Sequence, residues 1–215
     1  MSAAPALGYV PRQARGIQKR RRLYEATLEQ MAAKGVGATR VEDVVAAAGV
    51  SWGTFFRYFP RKEDVLLEAA VIHHRGHVQP VVDRGLQEGR PARELALDTF
   101  LATLEPVEHP AALHGAIVAE VLGNPQRFAA LLGDDPPVTA LVARTVAAGQ
   151  ARGEVRGDLD ALTLAAVLAA GTLFPTLNGS YLPPRGLEGL RGADGPAAMA
   201  RRAFGVAWRG LEPLD

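Results

Sequence analysis

The sequence predicts an all-helical protein: a three-helix head built around a helix-turn-helix arrangement, followed by a larger helical domain. Three observations carry that expectation. Apolar residues recur at helical spacing through the first third of the chain. Beyond His77 no stretch sustains the apolar–polar alternation of a half-buried strand. Most of the later helical stretches open with Pro at or near the first helical position, where a missing N–H costs nothing.

Residues 1–12 read as a flexible leader, because Ala3, Ala4, Pro5, Gly8 and Pro11 favour no regular element. A helix is expected from Gln13 to Lys34, with Ile17, Tyr24, Leu28 and Met31 on one face, ended by Gly35 and Gly37. In the second, short helix Thr39 and Glu42 fit a capping box, and Val41, Val44, Val45 and Ala48 form the apolar stripe. Gly49 marks the turn. Ser51 is expected to cap a third helix running to Phe59, which Pro60 interrupts. A longer helix spans Arg61 to His77, with Val65, Leu66, Ala69 and Ile72 as its buried face and Glu63 and Asp64 in the first turn, where they suit the helix dipole. Further helices are expected at 91–104, 110–122, 125–132, 137–152, 158–177 and 196–211, with a mobile loop at 183–195. The head then covers residues 13–62 and the larger domain 63–215.

Composition narrows the function classes. At 48% apolar and 22% charged residues the chain is an ordinary globular one. It has no cysteine, which excludes disulfides, thiolate metal sites and cysteine catalysis, and fits a reducing cytoplasm. Met1–Val10 lacks the apolar core of a signal peptide. Residues 161–184 carry no charge, but alanine dominates the first half and Thr163, Thr172, Pro175, Thr176 and Asn178 interrupt it; a helix buried in protein is expected, not a membrane span. Net charge is +1, yet residues 1–62 hold eleven Lys and Arg against four Asp and Glu, while residues 63–215 hold thirteen against nineteen. Arg outnumbers Lys 21 to 3, a compositional bias that explains the choice of base but not the segregation of sign. The segregation points the N-terminal part toward a polyanion.

The informative block runs from Thr39 to Lys62. A short helix, a glycine turn and a second helix, so spaced, form the arrangement whose second helix protrudes far enough to enter a major groove about 12 Å wide. The run from Thr39 to Glu63 resembles the signature of the tetracycline-repressor (TetR) family. It includes the Gly49 turn, Gly53-Thr54, the aromatic run Phe55-Phe56-Arg57-Tyr58-Phe59 and the closing Pro60-Arg61-Lys62-Glu63. The helix ending Met31-Ala32-Ala33-Lys34-Gly35 is similar to that family's first helix, so the resemblance covers about residues 16–70. It implies a homodimeric, non-enzymatic regulator with a divergent ligand domain. It also implies that Ser51 to Phe59 is the recognition helix, that Tyr58 and Lys62 bind phosphate, and that Phe55 and Phe59 are core. Trp52 stands where the family often has Lys or Arg, and Phe56 where Tyr is usual; both departures remove polar reach toward DNA.

The residues expected at DNA are therefore Arg40, Ser51, Trp52, Thr54, Phe56, Arg57, Tyr58 and Lys62. Arg57 lies on the base-facing side and has the fork suited to guanine. Trp52 reads equally as a groove contact or an exposed aromatic. The Lys19-Arg20-Arg21-Arg22 run fills a whole helical turn, so only part of it can face DNA. His73, His74 and His77 lack the companions of a metal site, and a helix-end role suits them better. No nucleophile–base arrangement, phosphate loop or dinucleotide motif is present, so no cofactor is expected. Phe100, Thr103, Glu120, Phe128, Thr172, Phe174 and Asn178 each add an aromatic wall or polar handle to an apolar helical stretch and are candidates to line a ligand pocket. The expected function is a repressor that binds a palindromic operator as a homodimer and is released by a small apolar or amphipathic molecule. The alternative is a helical binding protein whose helix-turn-helix no longer reads DNA.

Overall fold

The computed structural model describes residues 8–105, 110–181 and 195–213. Eleven α-helices are present among them: α1 Ala14–Lys34, α2 Val41–Ala48, α3 Trp52–Tyr58, α4 Asp64–His73, α5 Gln79–Gln87, α6 Ala92–Leu104, α7 His114–Gly123, α8 Pro125–Leu132, α9 Val138–Ala151, α10 Ala161–Tyr181 and α11 Pro196–Trp208. The all-helical expectation holds, with no strand among the described residues. None of these helices is long and apolar enough to cross a membrane. The expected loop at 183–195 falls almost entirely outside the described residues.

The chain forms two compact units, Met1–His73 with Pro106–Asp135, and His74–Glu105 with Pro136–Asp215. In the first unit, Leu23, Leu28 and Met31 of α1, Val44 of α2, Phe55, Tyr58 and Phe59 at α3, Val65 and Leu66 of α4, and Ile117 of α7 share one core. A smaller cluster joins Leu67 and Val71 of α4 to Leu131 and Leu132 of α8. In the second unit, Ala96 and Phe100 of α6, Val142 and Val146 of α9, Leu164 and Leu168 of α10, and Phe204 and Trp208 of α11 form the main core. Phe100 meets Phe204 at 6.1 Å between ring centroids, and Phe204 stacks on Trp208 at 5.5 Å.

Local chemistry corrects several expectations. The capping box does not form. Arg40, not Thr39, is the N-cap of α2, and it makes no side-chain cap bond. The Thr39 hydroxyl turns back to donate to the Gly35 carbonyl at 2.8 Å, tying the loop to the end of α1. Ser51 does stand at the N-cap of α3, but its hydroxyl pairs with that of Thr54 at 2.9 Å. Gly49 takes the left-handed conformation, φ 63°, that ends α2 and frees the chain to turn. Phe59 is extended, as the residue before a proline must be, and α3 stops there.

The expected single helix from Arg61 to His77 is shorter at both ends. Asp64 opens α4, with its carboxylate accepting from the Arg61 backbone N–H at 2.9 Å and pairing with Arg127 of α8. After His73 the chain passes through a π turn, His74–Val78, and continues as α5, which the sequence reading did not separate. Pro80 is the cause: it lacks an N–H and its ring crowds the carbonyl four residues back, at Gly76. Ile17 and Ile72, both expected in the core, are exposed. They line a cleft of about 610 Å³ on the first unit, with Arg20, Tyr24 and Glu68 on its walls.

Candidate nucleic-acid interface

Helix α3 is two turns long, and its spacing sorts its residues cleanly. Phe55 and Tyr58, with Phe59 just beyond, point into the first unit's core, and the two phenylalanines meet at 5.9 Å. Trp52, Gly53, Phe56 and Arg57 face solvent. Trp52 is 52% exposed and packs edge-on against Phe56, which is 36% exposed, at 4.7 Å. The outward face is thus an aromatic pair followed by one arginine. Arg40 is exposed at the start of α2, Ser51 is exposed, and Thr54 is half-buried.

The two residues that the resemblance assigns to phosphate are engaged within the fold. Lys62 is half-buried, and its ammonium donates to the carbonyls of Val36 at 2.7 Å and Thr39 at 2.9 Å. That bridge closes the loop between α1 and α2 and leaves one N–H of three for another partner. Tyr58 is 2% exposed. Its hydroxyl accepts from the Arg57 guanidinium at 3.3 Å, and its ring stacks on Tyr9 at 6.1 Å and 21°.

Much of the basic excess is also committed within the unit. Arg20 forms a two-bond pair with Glu68 and lies 4.7 Å over the Phe59 ring. Arg21 bonds Glu25 at 2.7 Å, and that hydrogen bond and charge hold its guanidinium above its ordinary pKa. Lys34 meets Asp43 at 2.9 Å. Arg61 reaches Glu120 at 3.5 Å. Burial nevertheless pushes the Glu120 carboxyl up, outweighing the pull of Arg61. Arg12, Arg15, Arg22, Arg40 and Arg57 remain exposed.

Tyr9 is a neighbour of α3 that sequence reasoning missed. Residues Gly8–Pro11, expected to be part of a flexible leader, have fixed partners. The Tyr9 N–H donates to the Arg57 carbonyl at 2.9 Å, and Pro11 is buried. No periodic or capping signal marks such a segment, so nothing in the sequence announces it.

The seven candidate pocket residues divide between the two units. Glu120 and Phe128 belong to the first unit; Phe100, Thr103, Thr172, Phe174 and Asn178 belong to the second. Phe100 and Thr172 are fully buried, and the Thr103 hydroxyl donates to the Thr99 carbonyl at 2.9 Å. Phe174 is exposed, and the side chain of Asn178 lies outside the described residues. The second unit instead presents a cleft of about 480 Å³ with His77, Arg84, Arg90, Asp98, Glu105 and Arg201 among its lining residues.

Residues 23–69 match the model of the bacterial regulatory proteins of the tetR family. No curated protein matches the sequence. Among solved structures, the Thermus thermophilus FadR, a TetR-family transcriptional repressor in complex with lauroyl-CoA, is similar over 91% of this chain and 96% of its own, at 23% identity and a TM-score of 0.69. A putative transcriptional regulator from Saccharomonospora viridis, in complex with choline, is similar over 90% of this chain and 97% of its own, at 24% identity and a TM-score of 0.55. SmeT, the repressor of the Stenotrophomonas maltophilia multidrug efflux pump SmeDEF, covers 90% in both directions at 16% identity and a TM-score of 0.58. At these identities the likeness is one of fold. Residues 23–69 match the model of the tetR-family regulatory proteins, and the chain as a whole shares its fold with solved TetR-family regulators.

Proposed function

We propose that this protein is a transcriptional repressor that binds a palindromic operator as a homodimer and leaves it when a small amphipathic molecule binds the second unit. The observation that carries the reading is the outward face of α3. A surface of Trp52, Phe56 and Arg57 beside exposed arginines suits a groove that offers thymine methyls, guanine acceptors and phosphates. Homodimerisation is supported by α10. Its buried side, with Leu164, Ala165, Leu168 and Ala169, serves the unit's own core, while Leu162, Ala166, Val167 and Ala170 face outward without a charge among them. On and just after α11, Ala200, Phe204 and Leu211 are buried in the unit's own core, and Ala197 is exposed. The chain is read as a non-enzymatic cytoplasmic regulator, and the ligand release is suggested by solved relatives that hold lauroyl-CoA and choline. The cleft of about 480 Å³ is of ligand size, and its charged walls suit a molecule with a polar or ionic end better than a wholly apolar one.

The test is a titration of the protein with DNA from upstream of its own gene, at several salt concentrations. Specific binding should weaken with salt at a log–log slope of about −0.9 per phosphate neutralised. A slope near zero would rule out the proposed mode. A second reading, a helical binding protein with a helix-turn-helix that no longer reads DNA, is favoured by the internal engagement of Tyr58 and Lys62. Equal affinity for upstream and random DNA would select it.

A further inference from the structure

The segment ahead of α1 is folded onto the C-terminal turn of α3. Gly8 lies so close that a Cβ on it would stand 2.2 Å from the Tyr58 carbonyl oxygen. Pro11 sits on Gly16, where a Cβ would come within 2.6 Å of the proline ring. Between these two close approaches, the Tyr9 N–H is hydrogen-bonded to the Arg57 carbonyl and its ring lies nearly parallel to that of Tyr58. The Arg57 guanidinium centre is 5.4 Å from the Tyr9 centroid and 5.1 Å from the Tyr58 centroid. The arginine is otherwise exposed. A long, mobile side chain is thereby held against two ring faces and one phenolic oxygen, with the remaining guanidinium N–H groups available.

We propose that Tyr9 is a positioning residue for Arg57: the N-terminal arm Gly8–Pro11 fixes the base-facing guanidinium before DNA arrives and so sharpens sequence preference. The inference rests on the reading of the first unit as a DNA reader. The physical reason is that a flexible arginine must give up rotamer freedom to make a forked bond to a guanine edge. A guanidinium already resting on aromatic faces has less to lose, and the stacking itself corresponds to about two- to fivefold in an equilibrium constant at an exposed site. The arm's contacts fall on Arg57 and on the buried Tyr58 at the C-terminal end of α3, so its effect on sequence preference is expected through Arg57, the exposed residue of the two.

The experiment starts from the full chain selecting its preferred duplex out of a random DNA pool. Arg57→Ala, Tyr9→Ala, Tyr9→Phe and Gly8→Val are then titrated with the selected duplex and with random duplex, and each is checked by thermal unfolding. The expected result is a loss of about two- to fivefold on the selected duplex for Tyr9→Ala, at the same base pair that Arg57→Ala relaxes, with binding to random duplex unchanged. Tyr9→Phe, which keeps the ring, should behave as the parent, and Gly8→Val, which dislodges the arm without altering the ring, should behave as Tyr9→Ala. In the Arg57→Ala background, Tyr9→Ala should add nothing. Additive losses, an equal loss on both duplexes with a lower melting temperature, or tighter binding by Tyr9→Ala would each overturn the inference while leaving the DNA-reading function standing. No enriched sequence for the parent would overturn both.

Discussion

A structural and a DNA-contacting role for Lys62 can be told apart by experiment. Its two hydrogen bonds to the Val36 and Thr39 carbonyls are charge-assisted and half-buried. Lys62→Ala should therefore cost about 1.5–3 kcal/mol of stability, the range for a hydrogen bond to a charged group, seen as a lower denaturation midpoint without DNA. If the third N–H also meets a phosphate, the same change should flatten the salt slope by about one unit. A purely structural lysine would lower the midpoint and leave the slope alone. Arg57 makes the complementary case. Arg57→Ala should cost about 1–3 kcal/mol on the preferred duplex and broaden sequence preference, with little change in stability because the side chain is exposed. An unchanged motif from random-pool selection would remove Arg57 from the reading surface. The inward Phe55 and Phe59 and the outward Arg57 of α3 were legible in the sequence through the family resemblance. The commitments of Lys62, Tyr58 and Tyr9 were not, because each depends on a partner from another segment of the unit.

Among the elements, α6 depends most visibly on a neighbour at its first residue. Its N-cap is Pro91, which offers no side-chain acceptor. The Glu154 carboxylate supplies one instead, accepting from the Ala92 N–H at 2.7 Å. The Arg152 hydrogen bond, followed by that of Ala92, holds the Glu154 carboxyl below its ordinary pKa. A carboxyl depressed in the folded state stabilises fully above its unfolded pKa, about 4.3, and the contribution is lost as pH falls through the folded value. Glu154→Gln should thus cost about 1 kcal/mol near neutrality, and the parent–variant difference in unfolding should shrink on acidification below the ordinary carboxylate range. A pH-independent difference would show that shape, not charge, is at work. Nearby, Gly149 lets α9 approach its surroundings: a Cβ there would lie 2.6 Å from the Ala92 Cβ and 2.8 Å from a Val155 methyl. Alanine gains about 1 kcal/mol of helix propensity over glycine but overpacks this contact by about 1–3 kcal/mol, so Gly149→Ala should be net destabilising in denaturant titration. The helices themselves were largely legible from apolar spacing and proline placement. The π turn and α5 were not, because the apolar spacing runs on through His73 and only Pro80 breaks the hydrogen-bond ladder.

For the molecule as a whole, the proposed assembly would use the open face of α10. Val167 is 58% exposed and shares that face with Leu162, Ala166 and Ala170. Val167→Glu would bury a charge in the proposed interface and should convert the dimer to monomer in sedimentation at micromolar concentration, with the monomer's helical content intact. Retention of the dimer would place the interface elsewhere. The sequence showed that this helix carries no charge, but not which side its own unit had already used. That distinction came from the spacing of Leu164, Ala165, Leu168 and Ala169 against their core.

Pairing through the uncharged α10 face, as proposed, would also set how the protein responds to its own abundance. A reader that grips two half-sites only as a pair has an active population that scales with the square of chain concentration wherever monomer predominates. Halving expression in that range would cut the operator-competent pairs by about fourfold by mass action. A gene controlled in this way would be sensitive to copy number and to dilution at cell division, and a strain carrying Val167→Glu would resemble one with the regulator deleted, despite an unaltered recognition helix.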